Sequence, residues 1–326
     1  VAGVAGSASW AAFAVALVVA GLTAVTYAEL GGRFPRSAGE SFLTEQAFGR
    51  PGLSLVVGWV VLCSGILSLA TVSVAFGGYM SGLVPGIPSW VTVVGILLLL
   101  SAINFRGMRE SSSTNIIATM VELSGLLIVI VAGALFLGDD DGASVAQTFE
   151  ASRDTHWTGI ARGAALGFFA FIGFEDMVNV AEEVKDPGRN MPRAILTALC
   201  VTGVVYLLVV IIATSVVPPA TLAKSDAPLL TVVQTSTSLV PDRVFTVIAL
   251  FAVANTGLLN FIMGSRLIYG MSRQGLLPSA LGRVHPTRRT PHWAILTVLL
   301  VALALALSGT LTYLAGTTSL LLLLVF

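Results

Sequence analysis

Charge is what this sequence has least of. Only 10% of its 326 residues are Asp, Glu, Lys or Arg, against about 25% in soluble domains. Such a chain cannot clothe a globular surface in polar groups, and its 56% apolar content and mean hydropathy of +0.92 make lipid the natural solvent. Net charge is lacking too: 17 basic residues balance 17 acidic ones, which leaves no basic field to hold nucleic acid. Cysteine is reduced to Cys63 and Cys200, both in apolar runs, so neither a disulfide framework nor a thiolate metal site is expected. The three histidines, His156, His285 and His292, fall in loops or at helix ends. Without an intramembrane histidine cluster, and without an HExxH, P-loop or GxSxG pattern, an enzymatic reading has no support, and neither a metal nor a cofactor is expected.

What the chain has is long apolar runs. A membrane-spanning helix needs roughly 20 mostly apolar residues, and such runs occupy 10–29, 53–82, 88–105, 115–138, 159–181, 193–217, 243–272 and 291–308, with an incomplete one from 311. These predict eight complete spans and a partial ninth in a single transmembrane domain, an all-α polytopic fold. The runs 53–82 and 243–272 exceed the bilayer, which predicts tilt or projection beyond it. The opening stretch lacks the charged flank of a signal peptide. Val1 and the apolar run ending at Phe326 are expected to be cut ends.

Basic residues set the orientation. Arg153, Arg162, Lys224 and Arg243 fall on one side, and the remaining thirteen of the 17 on the other. Cytoplasmic loops retain Lys and Arg, so 31–52, 106–114, 182–192 and 273–290 are expected in the cytoplasm. Ser37 and Glu40 fit a capping box, which predicts a short amphipathic helix over about 38–48 along that face. On the opposite side, 216–241 opens on Pro218 and Pro219 and predicts a short interfacial helix.

Polar residues at depth are the candidate functional groups. The stretch 167–176 places Gly167, Gly173, Glu175 and Asp176 in one span. Charge there costs about 2.5–3.5 kcal/mol per residue and marks either a pathway or the end of the apolar part of a helix. One reading is a helix opened near Gly173 whose freed backbone groups bind a substrate ammonium or carboxylate; the other is ordinary packing around Gly163 and Gly167. Glu122, alone in its run, is either a proton-titrating group or a hydrogen-bond partner for a neighbouring helix. Cys63, Ser64, Ser68, Asn255, Thr256 and Asn260 either line a cavity or join helices.

The stretch 168–193, FFAFIGFEDMVNVAEEVKDPGRNMPR, resembles the sixth-helix signature of the amino acid, polyamine and organocation transporter family. The segment 27–35, YAELGGRFP, is similar to that family's second-helix ending, and 265–278 with Thr290 and Pro291 to its eighth helix and following loop. The resemblance implies two inverted five-helix repeats plus two further helices, with substrate held by broken first and sixth helices. On that mapping the chain carries helices two to nine and part of ten. Residues 1–138 are then the remainder of the first repeat, with a remnant of helix one near 1–6, and 159–326 the second repeat, truncated.

The resemblance further implies Ala170, Phe171, Ile172 and Gly173 as backbone partners of a substrate ammonium, Phe171 or Phe174 as an aromatic gate, and Cys63, Ser64 and Asn255 near the cavity. Glu122 stands where some members carry a lysine in place of a sodium ion; an acidic residue there suggests proton coupling, with Glu175 a second coupling candidate. The implied activity is secondary active transport of amino acids or related amines across the plasma membrane by alternating access, with lipid, the small-molecule substrate and protons as partners. Exchange of amino acids or amines, and a non-transporting receptor or channel, are the alternatives; an uninterrupted helix through Gly173 is the mark of the last.

Overall fold

The computed structural model describes residues 1–35, 39–107, 111–138, 145–153, 155–225 and 227–325. Among them all regular structure is helical. In chain order the helices are α1 (Ala2–Ala5), α2 (Ser9–Arg33), α3 (Gly39–Phe48), α4 (Pro51–Leu83), α5 (Ser89–Arg106), α6 (Ser111–Gly138), α7 (Val145–Ser152) and α8 (Trp157–Gly167). They continue with α9 (Pro187–Val216), α10 (Pro219–Leu222), α11 (Pro228–Ser236), α12 (Asp242–Arg273), α13 (His292–Ser308) and α14 (Leu311–Val325).

Among the described residues seven helical segments are long and apolar enough to cross a membrane, one fewer than the eight complete spans expected. The difference is α13, an apolar helix of 17 residues, at the lower end of the ~17–25 residues that span a bilayer. The partial ninth is α14. The long runs are single helices: α4 has 33 residues and α12 has 32, each about 50 Å of helix at ~1.5 Å per residue. The interfacial segment after α9 holds two short helices, α10 and α11, rather than one. Helix α7 was not foreseen, because its eight residues carry no apolar run.

Large apolar side chains cover the outside: Leu22, Leu135 and Leu324 are 72%, 68% and 80% exposed. In water such a surface would drive aggregation; in lipid it is solvated. Packing between helices must then come from close approach of small side chains. Helix α2 shows how: Ala12, Ala16, Ala20, Ala24 and Ala28 form a buried stripe at every fourth residue, the side of α2 that meets α8 and α9. At its end a Cβ on Gly31 would sit 3.2 Å from Val178 Cγ2, and one on Gly32 3.4 Å from Gly188 Cα.

Three apolar clusters result. One joins α4, α5, α12 and α13 around Leu69, Leu97, Phe261 and Val298. A second joins α2 and α9 to the segment after α8 through Phe168, Phe171, Phe174 and Val178. A third gathers α6, α9 and α11 around Val129, Ile212 and Val232.

Candidate functional site

The segment following α8 does not continue as a helix. After Gly167 the chain tightens into a 3-10 turn over Phe168–Phe171, Ile172 is extended (φ −61°, ψ 139°) and Gly173 takes φ +125°. A second 3-10 stretch, Glu175–Glu183, leads to α9, whose start is set by Pro187 and by Asp186 in the left-handed region. A Cβ on Gly173 would meet nothing within 4 Å. Backbone conformation, rather than space, therefore calls for glycine here.

Opening a helix strips amides and carbonyls of their partners. At the break the Gly173 N–H donates to Oε2 of Glu175 at 2.8 Å, and the Ile172 N–H donates to the Phe169 carbonyl at 3.4 Å. Glu175 is buried at 2% exposure while Asp176 beside it is half-buried. The carboxylate two residues downstream thus takes the place of the missing ladder bond.

Aromatic rings seat the opened segment. Phe171 stacks edge-on against Phe13 of α2 at 6.1 Å and lies 5.6 Å from Tyr206 of α9; Phe174 meets Tyr27 of α2 edge-on at 5.8 Å. Phe171 and Phe174 are buried, and Ala170, Ile172 and Gly173 are half-buried. Tyr206 also stands within Coulombic reach of Glu122, half-buried on α6, which packs against α9. Tyr206 thus touches Phe171 on one side and feels the charge of Glu122 from α6. Reading the sequence missed Tyr206 and Phe13, since a lone aromatic in an apolar run carries no signal of what it faces.

Other expected residues lie in a different cluster. Helices α4 and α12, which carry Cys63, Ser64 and Asn255, meet in the first apolar cluster, whereas the break sits in the second. Cys63 is half-buried; the Ser64 hydroxyl donates to the Val61 carbonyl of its own helix at 2.8 Å; Asn255 is buried. Two polar groups at depth join helices: Asn260 Nδ2 donates to Ser68 Oγ at 3.0 Å, and Asn104 Nδ2 to Ser265 Oγ at 3.1 Å and the Phe261 carbonyl at 3.3 Å. Among the described residues no group of three or more His, Cys, Asp or Glu is arranged to hold a metal ion.

Near the break, α3 forms as expected, but its first turn is buried in the bundle instead of lying on the surface: Gly39, Glu40 and Ser41 are all buried. Its capping partner Ser37, with Ala38, lies outside the described residues, as does the acidic run 139–141. Ser41 and Ser54 of α4 exchange hydrogen bonds, each hydroxyl donating to the other's carbonyl, at 3.1 and 2.5 Å. Burial pushes the Glu40 carboxyl up to about 7, and the charge of Asp176 pushes the same way, against the lowering effects of its own backbone amide and the Tyr27 hydroxyl.

Similarity to known proteins identifies the family. The amino acid permease family model matches residues 1–326. Branched-chain amino acid permease BcaP of Bacillus subtilis is 28% identical over 306 residues, covering 86% of this chain and 63% of that protein. Low-affinity putrescine importer PlaP of Escherichia coli is 29% identical over 299 residues, covering 90% and 65%. An uncharacterized transporter of Mycobacterium tuberculosis is 32% identical over 311 residues, covering 93% and 66%. The chain thus spans between 63% and 66% of the length of these relatives. With seven apolar helical segments of spanning length among the described residues and a family match over residues 1–326, this chain has the make-up of a multi-pass membrane protein and belongs to the amino acid permease family.

Proposed function

We propose that the whole protein is a secondary active transporter that moves amino acids or related amines across the plasma membrane by alternating access, with residues 1–138 in one five-helix repeat and 159–326 in its inverted counterpart. The observation that carries this reading is the loss of helical geometry at Ile172 and Gly173 inside an apolar span. Irregular backbone is tolerated at membrane depth only where it is enclosed by protein or lines a polar cavity, and it offers amides and carbonyls to a charged solute. In this reading the backbone of Ala170, Phe171, Ile172 and Gly173 receives the substrate's ammonium group, and Phe171 and Phe174 close over it. Cys63 and Ser64 of α4 and Asn255 of α12 line the far wall and come toward the break in another state of the cycle. Glu122 and Glu175 couple transport to protons, and the place of Tyr206, against Phe171 and within Coulombic reach of Glu122, supports a link between coupling group and gate. The names of the relatives, a branched-chain amino acid permease and a putrescine importer, favour an amino acid or amine as solute.

The test is uptake of a radiolabelled panel of amino acids and diamines by the full-length protein in liposomes, at two external pH values. Saturable uptake of at least one solute is expected. Gly173→Val should abolish it while leaving membrane insertion intact, because a β-branched residue at φ +125° carries strain of about 1–3 kcal/mol. Unimpaired uptake by that variant sinks the assignment of the break, and conduction without saturable uptake points to a channel.

A further inference from the structure

Glu40 has no place in the site described above, yet it is the most unusual side chain beside it. It is 4% exposed, and neither carboxyl oxygen makes a hydrogen bond of acceptable geometry. The Tyr27 hydroxyl is close enough to act on it but outside that geometry. A buried ionised carboxylate with no partner is among the costliest groups a fold can hold. The neutral acid is far cheaper.

Of the groups that face Glu40, the two carboxyls beside the break make ionisation costlier still, while the Tyr27 hydroxyl eases it. Tyr27 comes from α2, and Asp176 and Glu175 come from the opened segment, which packs directly against α3. Helix α4 meets the adjacent Ser41 through Ser54 and Gly58, neither of which is titratable. Of the charged residues nearby in sequence, Glu29 and Arg33 of α2 are exposed and paired with each other at 2.6 Å, Arg50 is exposed at the start of α4, and Glu45 lies half-buried further along α3. Nor can Glu40 easily withdraw. Its neighbour Ser41 is bound reciprocally to Ser54. A Cβ on Gly58 would come within 3.0 Å of Ser41 Cβ, so the absence of one lets α3 lie flush on α4.

We propose that Glu40 is a proton-binding site that acts as a latch: holding a proton, it joins α3 and α4 to the opened segment beside Glu175 and Asp176, and losing it loosens that joint. This rests on the transport reading only for its purpose, since the latch would then couple movement of the break to proton concentration on the side where the basic loops lie. The sign follows from linkage. The joined state holds Glu40 at about 7, whereas opening returns it toward the ordinary 4.5. The joined state therefore binds the extra proton; it is favoured as pH falls through that window and weakened as pH rises through it. The same two values make opening about tenfold more frequent at pH 8 than at pH 6.

Amide hydrogen exchange of the full-length protein in lipid nanodiscs reads this without reference to transport. After correction for intrinsic exchange, opening of residues 39–48 should rise about tenfold from pH 6 to pH 8 in the wild type and stay level in Glu40→Gln, with greater protection than the wild type at pH 8. A level wild-type profile overturns the latch, and so does a tenfold rise that survives in the variant. Should Gln not be tolerated, Glu40→Met supplies the same arm. Wild-type uptake in liposomes is scored separately: no saturable uptake with a tenfold exchange response removes the transport reading and leaves the latch, and the reverse result does the opposite.

Discussion

Helix α12 and the segment from α8 to the start of α9 both carry polar groups into an apolar span, and they handle them in opposite ways. In α12 the helix runs unbroken for 32 residues. Asn260 reaches Ser68 on α4, and Asn104 of α5 reaches the Phe261 carbonyl and the Ser265 hydroxyl. These side chains bond across helices and leave the backbone ladder intact. In the other segment the ladder itself fails at Ile172 and Gly173, and Glu175 supplies the acceptor for the amide set free. Depth in the membrane is therefore no mark of a functional site. A polar group that replaces backbone hydrogen bonding is the better mark, because it leaves neighbouring amides and carbonyls available to a solute.

The contrast predicts different sensitivities, and the largest is steric. Helix α8 reaches its neighbours through Gly163, where a Cβ would lie 2.8 Å from Ala5 Cβ and 3.0 Å from Ala12 Cβ. Both obstacles are fixed to backbone and cannot rotate away. Gly163→Val should cost at least about 2 kcal/mol through overpacking, seen as a lower Tm in detergent and as reduced yield of folded protein. An unchanged Tm with altered uptake would mean that the close contact of α8 with α1 and α2 serves transport alone.

Next come the cross-helix bonds. Asn104→Leu removes two hydrogen bonds from α12 and Asn260→Leu removes one. At about 0.6 kcal/mol per bond in a bilayer, with a ceiling near about 1.7, the first should lower Tm more than the second. Neither should change the KM for uptake. A raised KM in Asn260→Leu breaks the comparison, since it would put a substrate contact on the unbroken helix.

Much of this was legible in the sequence. Apolar length alone located the long helices, because a spanning segment has one simple requirement. The break was legible in part: Gly173 beside two carboxylates in an apolar run suggested an opened helix but fitted a helix end equally well, and only φ at Gly173 separates the two. Burial of the first turn of α3 was not legible. Glu40 satisfies a local capping pattern, and nothing in that pattern reveals that α2 and the opened segment approach it from far along the chain. Tyr206 illustrates the same limit, since its neighbours Glu122 and Phe171 come from two other elements.

The smallest effect sharpens the comparison most finely. Ser64 stands on an unbroken helix, and its hydroxyl donates to the Val61 carbonyl three residues back. In this state it is engaged locally, like a residue of α12 and unlike Glu175. Removing a buried hydroxyl bonded only to its own helix should change stability by no more than about 1 kcal/mol, so Ser64→Ala should move Tm little. If Ser64 nevertheless turns toward the substrate during the cycle, the variant loses one neutral hydrogen bond of about 1 kcal/mol, and KM rises roughly fivefold with kcat little changed. That rise is the expected outcome under the transport reading. A KM equal to that of the wild type would return Ser64 to the class of helix-packing groups and leave the backbone around Gly173 as the principal contact proposed for the solute.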